Sequence, residues 1–160
     1  MSDKFFGFIR KLIFSNKQVV DGTRSEKATE ILEVEPAHTS FESLDGHKYM
    51  LLVTYKKNGD AVPMPVWFGR QGERLFVWTE INAYKAKRLR NDERAIVAPC
   101  GPRGEPLGQP IAARGRVLES EPERANAKRV LLGNWGFFRR TFERMSRPIT
   151  DVHYIELTPA

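Results

Sequence analysis

Residues 3–15 (DKFFGFIRKLIFS) carry apolar side chains at helical spacing. At 100° per residue Phe5, Phe6, Phe8, Ile9, Leu12 and Ile13 share one arc, with Asp3, Lys4, Arg10 and Lys11 opposite. This predicts an amphipathic helix. Residues 16–24 read as a linker with a turn at Asp21-Gly22. Residues 25–34 predict a second helix, capped by Ser25 and closed by Pro36 just beyond.

The pattern then changes. Residues 47–55 (HKYMLLVTY) are apolar, aromatic and β-branched, which predicts a strand, and Asn58-Gly59 is a hairpin turn. A second strand follows over 61–69 (AVPMPVWFG). Its two prolines cannot donate to a ladder, so part of it must be a sheet edge or face something other than a strand. Gln71-Gly72 makes another tight turn before a third strand at 74–79. A short helix at 83–91, a strand at 94–99, a loop at 99–110 with four prolines and three glycines, and a strand at 111–119 come next. Residues 122–145 have helical composition with Pro122 in the first turn, and Gly133 and Gly136 suggest a break. Residues 152–158 form a last strand.

Strands joined by tight turns, with helices inserted late, predict a mainly β protein: an antiparallel barrel with an N-terminal amphipathic helix and C-terminal helices. A doubly wound parallel sheet would need regular strand–helix alternation, absent from 47–79. The organisation expected is residues 1–35 as helix, linker and second helix, and 36–160 as the barrel domain.

Composition narrows function. The 160 residues are 41% hydrophobic and 29% charged, which suits a globular domain. The net charge of +6 favours an anionic partner: nucleic acid, a membrane surface or a phosphorylated small molecule. The one cysteine, Cys100, excludes an intrachain disulfide and reads as a buried structural thiol in a reducing compartment. His38, His47 and His153 lie far apart and show no metal-ligand spacing. No apolar run reaches the ~20 residues that span a bilayer. Arg10 and Lys11 interrupt the N-terminal apolar stretch, which argues against a signal peptide. The location expected is the cytoplasm, with the inner face of the membrane as the alternative. The phenylalanine-rich face of residues 3–15 suits either packing on the barrel or a partner, or peripheral membrane contact.

Two features carry candidate chemistry. The helix at 83–91 crowds Lys85, Lys87, Arg88 and Arg90 behind Thr79, the last residue of a strand. A helix start favours phosphate, and Lys85 falls in its first turn. The four cations point in different directions around the helix axis, which argues against a nucleic-acid-binding stripe. Within VPMPVWF, Pro63, Pro65 and Trp67 share one face and Met64, Val66 and Phe68 the other. Such a strand could back a planar heterocycle, or it could be an edge strand and no more.

The order LLVTYKKNGDAVPMPVWF, LFVWT and KAKRLRNDERAIVAPCGPRGEPLG resembles the deazaflavin-dependent members of the pyridoxamine-phosphate-oxidase-like split-barrel group, over residues 41–120 and more loosely at VHYIEL. The resemblance implies an FMN-binding-like split β-barrel, usually a homodimer, with the cofactor at the subunit interface. It implies that Met64, Pro65, Val66 and Trp67 back the ring, that Thr79, Lys85 and Lys87 lie near the phosphate, and that no side chain acts as acid, base or nucleophile. Tyr84 stands where the group usually has a small or hydroxyl residue, and would narrow the phosphate entrance or stack on the ligand. The implied activity is hydride transfer from reduced coenzyme F420 to an unsaturated, aromatic or quinone-like molecule. Flavin mononucleotide (FMN) is the alternative cofactor, and a non-catalytic flavin, deazaflavin or haem carrier the alternative function.

Overall fold

A computed structural model describes residues 25–80, 83–134 and 152–160. The expected helix over 3–15, the linker at 16–24 and the helical segment beyond residue 134 lie outside the described residues. Seven strands form one sheet: β1 Tyr49–Tyr55, β2 Ala61–Trp67, β3 Gly69–Gln71, β4 Arg74–Glu80, β5 Arg94–Cys100, β6 Ile111–Val117 and β7 Val152–Pro159. Their order is β2-β1-β5-β6-β7-β4-β3, and every pairing is antiparallel. Two α-helices, α1 Tyr84–Asn91 and α2 Glu121–Asn134, are inserted late in the chain, as expected.

Alternation along the strands builds three packed clusters. One face supplies Met50 and Leu52 of β1, Val66 of β2, Leu75 and Val77 of β4, and Ile155 and Leu157 of β7 to a single inner core. Val66 and Leu75 stand near opposite ends of the strand order, so sharing one core requires the sheet to curl into a half-barrel. The outer face is covered in two places. Ala28 and Ile31 lie on Leu51, Val53, Ala98 and Cys100. Ala127 and Leu131 of α2 lie on Phe76 and Tyr154.

Local chemistry explains the turns. At the β1–β2 turn Asn58 Oδ1 accepts from the Asp60 N–H at 3.0 Å, and Gly59 adopts φ +91, a region that side chains avoid. β2 pairs only with β1 among the described strands, placing Pro63 opposite Val53 and Pro65 opposite Leu51. It is the edge strand its prolines demanded.

Two elements depart from the sequence expectation. The strand expected over 61–69 divides at Phe68, and β3 pairs with β4 instead of β1. Phe68 is buried in the inner core, so its burial and the change of partner coincide. The second helix is 3₁₀, Glu26–Glu33, with Ser25 Oγ accepting from the Lys27 N–H at 3.2 Å. Three residues per turn align Ala28 and Ile31, the two side chains it buries, in one row toward the sheet. The described part of α2 ends at Asn134, between Gly133 and Gly136, the two glycines at which a break is expected. No helix among the described residues is long and apolar enough to cross a membrane.

Candidate functional site

The site is organised by how α1 is seated. Ala86 and Leu89 enter the inner core, leaving only 1% and 3% of their surface exposed. Gly115 of β6 lies beneath them. A Cβ there would stand 2.8 Å from Leu89 Cδ2 and 3.0 Å from Leu157 Cδ2, so glycine is what lets the helix sit this low. The same inward face of α1 takes Lys85 below the surface, at 4% exposure. An ammonium so buried needs compensation from neighbours. The Glu80 carboxyl is one charge in its field: burial raises the Glu80 pKa, and Lys85 pulls it partly back.

Thr79 precedes this connection on β4. It lies two residues beyond Val77, so it points to the inner side, and it is fully buried. Its hydroxyl has no hydrogen-bond partner among the described residues, and neither does that of Thr54 on β1. A buried hydroxyl left unpaired costs on the order of 1–3 kcal/mol, so it marks a place where a ligand oxygen would be favoured. No side chain caps the start of α1, where Ala83 stands.

The four β2 residues divide between two faces. Val66 belongs to the inner core, and Met64 is buried on the same side. Pro65 and Trp67 face outward, the Trp67 ring tilted at 58° to Tyr49 with centroids 6.1 Å apart. No flat ring can rest on all four side chains. What they share is a backbone edge. Proline cannot donate, so Val53–Pro63 and Leu51–Pro65 are the pairs that turn their backbone groups away from each other. The backbone of Pro63, Pro65 and Trp67 therefore lines the outer edge of the sheet.

Lys87 lies elsewhere. Tyr84, Lys87, Arg88 and Asn91 follow an i, i+3, i+4, i+7 stripe on the outward side of α1. With Tyr55, Lys56 and Lys57 from the end of β1 they line a cavity of about 430 Å³. The Arg88 guanidinium lies 5.6 Å from the Tyr84 ring centroid, and that of Arg94 lies 4.8 Å from Tyr55. Arg90 turns away to Glu119, at 3.2 Å. Lys85 and Lys87, expected together at one phosphate, thus stand in different surroundings. The reading of dispersed cations treated the helix alone. It missed Tyr55, Lys56, Lys57 and Asn91, although the 84/87/88/91 spacing and the YKKNG turn were visible in the sequence.

Cys100 is buried, and burial, with a smaller contribution from Glu105, pushes its thiol up to about 12, so it stays protonated and unreactive at neutral pH. No group of three or more metal-ligating side chains occurs among the described residues.

This seven-stranded antiparallel half-barrel with a few helices matches the fold of solved split-barrel structures. Three solved structures show the likeness. The haem storage protein HutZ of Vibrio cholerae is 17% identical, with a TM-score of 0.57 over 74% of this chain and 86% of its own. A FAD-binding protein of Mesorhizobium loti is 11% identical, with a TM-score of 0.52 over 74% of this chain and 86% of its own. A candidate pyridoxamine 5′-phosphate oxidase of Listeria innocua is 15% identical, with a TM-score of 0.50 over 84% of this chain and 94% of its own. At these identities the likeness is one of fold. The sequence matches no protein-family model and no curated protein.

Proposed function

We propose that this protein is a split-barrel oxidoreductase that holds a phosphorylated flavin-type cofactor, with FMN as the first candidate and coenzyme F420 as the second. The observation that carries the reading is the buried Thr79 hydroxyl, without a hydrogen-bond partner among the described residues, on the strand that precedes α1 and its buried Lys85. Thr79 would donate to a phosphate oxygen, and Lys85 would supply the charge. The outer edge of β2 from Pro63 to Trp67 would border the ring, offering carbonyls and few N–H groups, with a second copy of the chain completing the cleft. FMN is placed first because structures of this fold include a FAD-binding protein and a candidate pyridoxamine 5′-phosphate oxidase. The order of motifs over residues 41–120 supports F420.

The bound ring would supply the hydride chemistry. The chain would position it and exclude water, which needs no acid, base or nucleophile. Adding reduced FMN or reduced F420 to a panel of quinones and enones should give protein-dependent reoxidation of the cofactor that saturates with acceptor. Binding without turnover for every acceptor would replace the oxidoreductase with a carrier.

A further inference from the structure

The cavity between α1 and the β1–β2 hairpin is not used by the cofactor seat proposed above. Its lining contains four cations, Lys56, Lys57, Lys87 and Arg88, and no carboxylate. Among acids on the flanking segments, Asp92 is paired with Arg94 at 2.7 Å and Glu93 with Arg114 at 3.1 Å, while Asp60 is bonded to the neutral Asn58 amide at 3.0 Å. Lys56, Lys57 and Lys87 are exposed and make no ion pair among the described residues. Arg88 lies over Tyr84. Two separate elements therefore bring like charges to one concavity, which favours an anion there.

We infer that this cavity binds a small polyanion, a short chain of phosphates or carboxylates, at a site separate from the cofactor seat. A volume of about 430 Å³ is that of a small-molecule site. Nucleic acid would be met by cations along an open ridge, whereas these line a pocket. The rest of α1 offers no such ridge, since Lys85 is buried and Arg90 is paired with Glu119. Each of the two tyrosine rings in the lining already carries an arginine. The inference goes beyond the flavin reading and does not depend on it.

Calorimetric titration of the whole chain with tripolyphosphate and with citrate tests it, alongside Lys56→Gln/Lys57→Gln and Lys87→Gln. These side chains are exposed, so the variants should fold. Saturable binding is expected that weakens as salt rises. The double variant should lose roughly tenfold or more in affinity, with FMN affinity held within about twofold. The probe that binds tighter distinguishes a phosphate chain from a carboxylate chain. Three results would overturn the inference: no saturable binding of either probe, duplex DNA binding more tightly through the same lysines, or tripolyphosphate displacing FMN while the double variant loses both. The last would make the cavity part of the cofactor's own seat.

Discussion

Leu89→Ala should destabilise the fold by about 2–5 kcal/mol, the usual range for a buried leucine truncated where the surroundings cannot collapse. Leu89 is 3% exposed and fills the space above Gly115, whose missing side chain is what makes room for it. The substitution should also loosen the seat of α1, and with it the position of Lys85. Urea denaturation would show an earlier midpoint with an unchanged slope. Leu32→Ala is the control: Leu32 is 39% exposed, and its loss should change stability by no more than about 0.5 kcal/mol. A Leu89→Ala protein that unfolds with the wild type would mean that α1 is not anchored through this residue.

The second large effect falls on binding. Lys85→Met keeps the apolar stem of the lysine and removes its ammonium, so packing is largely preserved. Affinity for the cofactor phosphate should fall by about 1.5–3 kcal/mol, roughly tenfold to 150-fold, if the ammonium makes a charge-assisted contact. Stability of the ligand-free protein is followed separately, because the ammonium is buried beside the Glu80 charge and its loss leaves that charge without compensation. Paired measurements of dissociation constant and urea midpoint separate the two. An unchanged dissociation constant would return Lys85 to a structural role.

Much of the fold was readable because its signals are local. Asn58-Gly59 and Gln71-Gly72 fixed two turns, Pro63 and Pro65 marked an edge strand, and Ser25 marked a helix start. What could not be read depends on partners distant in sequence. Nothing in residues 61–71 says that the chain leaves β1 for β4 at Phe68, or that β1 lies beside β5. The 3₁₀ form of the second helix, with i→i+3 bonds and three residues per turn, goes with the seating of Ala28 and Ile31 on the sheet, which lies outside the local sequence signal. Motif order suggested Thr79 and Lys85 as a phosphate pair. That Lys85 is buried while Lys87 lines a cavity came only with the placement of α1 on Gly115. Lys56 and Lys57 joined Lys87 through a hairpin nearly thirty residues upstream, beyond the reach of any one helical wheel.

The central claim is a flavin-type cofactor seat at Thr79 and Lys85. Its most direct test is fluorescence titration of the purified protein with FMN and with coenzyme F420, with haem as the comparison ligand. Saturable binding of FMN or F420 is expected with a dissociation constant of about 1 µM or tighter, weakened at least tenfold in Lys85→Met. Saturation by haem alone, with neither FMN nor F420 binding below about 100 µM, would contradict it.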